Sequence, residues 1–415
     1  MKRKISNSSV NGDLMANPSK SHMQRALAAA FLANGKSIVH NPDRSKDSSA
    51  ALEIIQTLGS KVNENGSIEI ESDGFEFKAK KLNCGESGLG LRMFSPIVSL
   101  SEQEITIDGE GSLKKRPIDF MEEVFNRIGV ESSSKKGFIP FKVKGPLKGG
   151  KFSFDGTHTS QFLTGLLMAL PKAKEDSVVI VNNLRSKGYV DLTLEVLDQF
   201  GVKVDNERYS IFRIKGDQTF KPQEITIEGD WSGSAFMLVA GAIAGRVKVK
   251  GLTIQSCQPD HDIVEVLEKV GADILFSMSS LVAEKNKLKP FDFDATNCPD
   301  LFPPLAALAA NIDGRCTIKG THRLEFKESN RTQSIIDALT AVGVSCKENN
   351  DRLIVHGGKI SSGKIKANND HRIAMMAAIL ALNSDGSIEI DDASCVAKSY
   401  PNFFEDLQKI GVGVK

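Results

Sequence analysis

The chain has 415 residues, too many for one ordinary core and suited to about two domains. Apolar residues make up 40% and charged residues 25%, a soluble globular balance, and a net charge of +1 leaves no global field to gather nucleic acid or an anionic membrane. Any anion chemistry must therefore come from locally placed Lys and Arg.

From the N-terminus, Met1 to Leu14 carries basic residues with no apolar run behind them, so it is not a signal peptide; it is either a tail or a first strand. No stretch approaches the ~20 apolar residues that a membrane helix needs. Six related segments follow. Each has a helix, rich in Ala, Leu and Met, that is apolar nearly all round, as in SKSHMQRALAAAFL, SQFLTGLLMAL and DHRIAMMAAILAL. Such helices belong in an interior. A strand-like run comes next, then an amphipathic helix such as DFMEEVFNRIG, then two strands of alternating polarity, as in SIEIES, FKVKG, IFRIKG and RLIVHG. The amphipathic helices end at Gly59, Gly129, Gly201, Gly271, Gly343 and Gly411, which suit left-handed caps. The spacings are 70, 72, 70, 72 and 68 residues. The pattern predicts two α/β domains of three such units each, with buried helices in the middle and sheets outside. A linear solenoid is the alternative, although solenoid repeats are usually shorter, ~20–45 residues.

The openings of the buried helices are unusual. Ser19-Lys20-Ser21 begins the first, with Arg25 one turn on; Arg92 lies just inside the second; Asn369-Asp370-His371-Arg372 begins the sixth. A charge at the start of an apolar helix is unfavourable to bury without a partner. The N–H groups there already suit anions, and added Lys and Arg make a phosphate or carboxylate site. Lys327-Glu328-Ser329-Asn330-Arg331, with Arg323 upstream, places cations around a carboxylate; alone it equally fits a solvated helix start. Asp300 alone equally fits a plain N-cap. His371 alone reads as a structural hydrogen-bonder, and Lys398 alone is anonymous. The six cysteines are scattered without a CxxC pair, which suits a reduced cytoplasm, and the seven histidines show no HxxH or HExxH spacing, so no metal is expected. No GxxxxGK[ST] loop is present, and GLGLRM at 88–93 lacks both a third glycine and a preceding strand, so no nucleotide cofactor is expected.

Seven segments occur in one family's order and at its spacing: PSKSHMQRAL (18–27), KKRPI (114–118), SQFLTGLLMA (160–169), SKGYVDLT (186–193), FKESNR (326–331), NDHRIAMM (369–376) and AKSYPNFF (397–404). Through them the chain resembles the 5-enolpyruvylshikimate-3-phosphate synthase family of the shikimate pathway, from about Pro18 to Gly411. The resemblance implies two inside-out α/β barrel domains, each built of three repeated βαβαββ-type units, with the active site in the interdomain cleft. One domain would comprise residues 1–18 with 229–415, the other 19–228. It also implies transfer of an enolpyruvyl group from phosphoenolpyruvate to the 5-hydroxyl of shikimate 3-phosphate, in the cytoplasm, by a monomer that needs no cofactor, nucleic acid or membrane.

The resemblance also implies roles. Lys20 would contact phosphoenolpyruvate and the reacting centre. Ser21, Arg25, Thr159, Ser160, Gln161, Ser186, Asp300 and Lys327 would hold shikimate 3-phosphate, with Lys20. Gly88, where the inhibitor glyphosate also fits, would border phosphoenolpyruvate; Arg116, Gln161, Arg331, Arg372 and Lys398 would hold it. Glu328 would exchange a proton with its methylene carbon, Asp300 would be the base at the hydroxyl, and Lys20 would share proton transfer. The segment the family often writes Asn-Ala-Gly-Thr-Ala-x-Arg-Pro is here Glu86-Ser87-Gly88-Leu89-Gly90-Leu91-Arg92-Met93, and Thr159 stands for the first serine of Ser-Ser-Gln. Two rival readings are the sister transferase acting on UDP-N-acetylglucosamine, whose loop cysteine is missing from residues 110–116, and an inactive repeat protein of the same fold.

Overall fold

The computed structural model describes residues 1–73, 77, 79–157 and 159–415. The chain divides into two compact units: a terminal unit, Met1–Asn17 with Glu228–Lys415, and a central unit, Pro18–Ile227. Each has its own apolar core.

The helices that are apolar all round are the interiors of these units. In the central unit they are Lys20–Leu32, Gly88–Val98 and Ser160–Ala169; in the terminal unit, Trp231–Ala244, Phe302–Ala310 and His371–Leu380. All 14 residues of Trp231–Ala244 are buried. Each fully buried Leu or Phe contributes about 1.5–3 kcal/mol. Small residues let the helices approach closely: a Cβ added at Gly165 would lie 2.6 Å from the Arg92 carbonyl oxygen. The terminal unit's three helices each pack on the other two, and in the central unit a hydrogen bond from Arg25 to Thr164 joins the first helix to the third. Each trio thus closes on itself, which excludes the linear solenoid.

Among the described residues six sheets form around these helices, five of four strands and one of three. The strand before a buried helix pairs in parallel with the strand after it, and an antiparallel hairpin completes the sheet. In the third repeat Gly150–Asp155 is parallel to Ser177–Asn182, which is antiparallel to Ile211–Ile214, itself antiparallel to Val204–Glu207. At the two crossings a strand stays with the unit the chain is leaving. Val10–Met15 precedes the Lys20–Leu32 helix yet pairs with Gly245–Lys250, and Glu224–Thr226 precedes the Trp231–Ala244 helix yet pairs with Asn34–His40. The N-terminus is strand, not tail: Arg3–Ser6 pairs with Ser387–Asp391 and bridges Val414, completing the sixth sheet.

The six repeat glycines all have positive φ, between +76° and +124°. At Gly129, φ is +76° and nothing lies within 4 Å of an added Cβ. Gly129→Ala should therefore add backbone strain alone and destabilise the fold by about 1–2 kcal/mol. Gly165 lies inside a helix at ordinary φ, so Gly165→Ala adds no such strain and instead forces the helix crossing apart, with about 1–3 kcal/mol of overpacking. Urea unfolding measures both; unchanged or raised stability in Gly165→Ala would contradict the close crossing.

Candidate active site

Side-chain oxygens cap five of the six buried helices: Ser19, Ser87, Thr159, Asp230 and Asp370 each accept a backbone N–H of the first turn. In the central unit the openings meet. Ser87 Oγ donates to Gln24 Oε1 at 3.0 Å, and Arg92 donates to Gln161 Oε1 at 3.2 Å, linking the three first turns. Lys20 is the first residue of its helix, and its Nζ lies 3.0 Å from Asp47 Oδ2. Ser21 follows it. Arg25 is buried and donates to the carbonyls of Ser21 and Tyr189 and to the hydroxyls of Thr193 and Thr164. These partners are all neutral oxygens. Burial lowers the Arg25 guanidinium to about 10, leaving it charged at pH 7, while burial and Arg25 push the neighbouring His22 down to about 4, leaving it neutral.

Gly88 opens the second helix. A Cβ there would collide with the Arg116 guanidinium and lie 3.0 Å from that of Arg92, so both cations converge on the space a side chain would fill. Arg116 is buried at the end of the turn Gly111–Lys115. Thr159 accepts the Gln161 N–H at 3.1 Å, and Ser160 is buried between them in sequence. Ser186 is buried, with a left-handed φ of 56°, just before the Lys187–Gln199 helix, and its carbonyl accepts the Tyr189 N–H. Tyr189 and Thr193 connect that helix to Arg25.

The terminal unit gathers a second cluster. Arg331, 0% exposed, donates from Nε to Asp370 Oδ2 at 2.9 Å, from one terminal nitrogen to Asp300 Oδ1 at 2.8 Å, and from the other to Glu328 and Asp370. Asp300 also receives Arg372 at 3.1 Å and Lys327 at 3.4 Å. Three cations thus face three carboxylates. Burial would raise the Asp300 carboxyl, but Arg372, Lys327 and Arg331 together hold it well below the usual carboxylate range. Burial likewise opposes the charge on Arg331, yet Asp370, Glu328 and Asp300 raise its pKa above that of free arginine. Burial outweighs Asp300 at Lys327 and lowers its ammonium to about 8, with Arg331 and Arg323 adding to the fall. Lys398 is buried at the end of the turn Ala393–Lys398, which packs on the His371–Leu380 helix. His371, fully buried, opens that helix. Glu328, Asp370 and His371 have ligand atoms within 4.8 Å of one another, but Asp370 already serves Arg331, Ser329 and the Arg372 N–H.

The structure thus places Lys20, Ser21, Arg25, Gly88, Arg116, Thr159, Ser160, Gln161 and Ser186 at or beside helix openings of the central unit, and joins Asp300, Lys327, Glu328, Arg331 and Arg372 in one ion-paired cluster of the terminal unit. Asp300 is no helix cap: Leu301 takes that position without a side-chain bond, and the carboxylate serves the three cations. Sequence reasoning missed Asp47, Thr164 and Thr193, whose partners lie 27, 139 and 168 residues away. It had Asp370 in view at a helix opening, but no signal paired it with Arg331.

A sequence profile described as EPSP synthase (3-phosphoshikimate 1-carboxyvinyltransferase) matches residues 5–407. The chain belongs to the EPSP synthase family. The 3-phosphoshikimate 1-carboxyvinyltransferases of Clostridium perfringens and Clostridioides difficile are 36% and 37% identical to it, over 98% of this chain and 97% of each relative. The solved structure of EPSP synthase from Acinetobacter baumannii matches with a TM-score of 0.83 at 25% identity, covering all of both chains. The enolpyruvyl transferase NikO from Streptomyces tendae matches with a TM-score of 0.80 over all of this chain and 98% of that one; at 16% identity it is a likeness of fold. Among the described residues no helix is long and apolar enough to cross a membrane.

Lys327 should titrate near 8 in a lysine-resolved NMR experiment on the dimethylated protein, against about 10.4 for a free side chain. Its charge is present below that pH and lost as pH rises through it. A Lys327 resonance titrating at the ordinary lysine value would contradict the burial described for it.

Proposed function

We propose that the two sites of this EPSP synthase family chain serve one reaction, in which the enolpyruvyl group of phosphoenolpyruvate passes to the 5-hydroxyl of shikimate 3-phosphate. The products are 5-enolpyruvylshikimate 3-phosphate and phosphate, on the route to chorismate and the aromatic amino acids. The substrates carry two phosphates and two carboxylates, which is why so many cations stand at helix openings. Arg25, Ser21, Thr159, Ser160, Gln161, Ser186 and Lys327 hold shikimate 3-phosphate. Arg116, Gly88, Gln161, Arg331, Arg372 and Lys398 hold phosphoenolpyruvate, and Lys20 touches both.

The hydroxyl oxygen attacks C2 of phosphoenolpyruvate while its proton passes to Asp300. Glu328, protonated in the substrate complex once phosphoenolpyruvate has taken over Arg331, delivers that proton to the methylene carbon, giving a methyl group and a tetrahedral intermediate. Glu328 then takes a methyl proton back as the C–O bond to phosphate breaks, and the proton held by Asp300 leaves with the phosphate. No electrons are exchanged with a carrier. Lys20 stabilises the charge that develops at the reacting centre.

The observation that carries this reading is the balance of three cations and three carboxylates around Arg331. Without substrate, the carboxylates occupy the positions that substrate anions would take. Held by three cations, Asp300 is a weak base. Arriving carboxylate and phosphate groups compete for Arg372, Arg331 and Lys327. As Asp300 loses those partners its basicity rises, so the base is armed when the substrates are present.

Phosphate release should require both phosphoenolpyruvate and shikimate 3-phosphate, and UDP-N-acetylglucosamine should not replace the acceptor. Asp300→Asn and Glu328→Gln should each lower kcat by about 10²–10⁴-fold. Near-normal turnover in both variants would contradict the acid–base assignment, and no release with the substrate pair would contradict the reaction itself.

A further inference from the structure

The segment in which this chain departs from its family's usual pattern, Glu86-Ser87, makes contacts of its own. Residues 83–87 and 108–116 run side by side. The Cys84 N–H donates to the Asp108 carbonyl at 2.9 Å, the Glu110 N–H to the Gly85 carbonyl at 2.7 Å, and Asn83 Nδ2 to Glu110 Oε1 at 2.9 Å. Beyond Glu110 side chains take over: Glu86 Oε2 accepts both the Ser112 N–H, at 2.9 Å, and the Ser112 hydroxyl, at 2.8 Å. A Cβ at Gly111, where φ is +49°, would collide with the Glu86 carboxylate, so glycine at that position admits the bond.

Ser112 lies in the first half of the turn Gly111–Lys115, and Arg116 ends it, its N–H donating to the Leu113 carbonyl at 3.1 Å. On the far side of Arg116 the Pro117 carbonyl accepts a bond from Arg92 at 3.3 Å. Arg116 is thus bracketed, with Glu86 holding the turn before it and Arg92 the residue after it. Arg92 and Arg116 also share the space above Gly88. We propose that Glu86 is a positioning residue, which through Ser112 aims Arg116 over Gly88. The inference rests on the reading of Arg116 as a phosphoenolpyruvate ligand.

Leu113 is fully buried, so the turn stays anchored when the tether is cut. What changes is the aim of the guanidinium, and a misplacement of about 1 Å can weaken a positioned interaction up to about 10²-fold. Glutamine keeps an oxygen that accepts from both Ser112 donors; alanine keeps none.

The test is steady-state phosphate release by the full chain, varying each substrate in turn, with thermal unfolding of every variant. Glu86→Ala should raise the KM for phosphoenolpyruvate about tenfold and Ser112→Ala about threefold, with the KM for shikimate 3-phosphate within about twofold of wild type. Glu86→Gln should stay within about threefold of wild type, because its hydrogen bonds persist. An unchanged phosphoenolpyruvate KM in Glu86→Ala overturns the proposal. So do parallel rises in both KM values, or a Gln variant as impaired as the Ala variant. Where Glu86→Ala does not fold, Ser112→Ala decides by the same split. A wild-type chain that releases no phosphate from the substrate pair overturns instead the transfer reading on which the inference rests.

Discussion

Arg331 is fully buried, and its nitrogens are engaged by Asp370, Asp300 and Glu328, which come from three separate stretches of chain. Asp370 also caps the His371–Leu380 helix, and Asp300 immediately precedes the Phe302–Ala310 helix, so one guanidinium ties together the starts of its own helix and two of the central ones. Removing one member of such a buried set leaves an uncompensated charge, at a cost of about 3–5 kcal/mol. The same bonds place the proposed acid and the proposed base on opposite arms of one planar group. Structure and chemistry therefore depend on a single residue in the terminal unit.

The central unit solves the anion problem differently. Arg25 is as deeply buried as Arg331, but its partners are hydroxyls and carbonyls, so its charge is not neutralised by them. It bonds to its own helix and to the Ser160–Ala169 and Lys187–Gln199 helices near their starts, and partial positive charge gathers at helix starts. The central unit thus presents standing positive charge, whereas the terminal unit presents ion pairs that must be exchanged. Both arrangements follow from helices that are apolar all round. Such helices fill a core side by side, and their first turns then lie at one end.

Much of this was legible in the sequence because it is local. An apolar helix, an amphipathic helix and a glycine at positive φ each leave a mark within a dozen residues, and six repetitions made the marks readable. The charged openings were legible for the same reason: Lys20, Arg25 and Arg372 break an apolar pattern. What was not legible is pairing across distance. Asp47 meets Lys20 from 27 residues away, Asp370 meets Arg331 from 39, and Val10–Met15 pairs with a strand more than 230 residues on. No local pattern specifies these contacts, because they follow from how the repeats pack. Asp300 shows the limit most clearly: its place before a helix reads as a cap, whereas its carboxylate belongs to the three cations around it.

The central claim is that substrate anions take over cations that otherwise hold Asp300 ionised and unreactive. Carbon-13 NMR of the labelled aspartate carboxyls, assigned with Asp300→Asn, measures this directly. The account predicts that Asp300 in the free chain stays ionised well below the ordinary carboxylate value of about 3.8, and that its titration moves upward when shikimate 3-phosphate and inorganic phosphate are added. An Asp300 that titrates near the ordinary value in the free chain, or whose titration does not move when the anions bind, would contradict it.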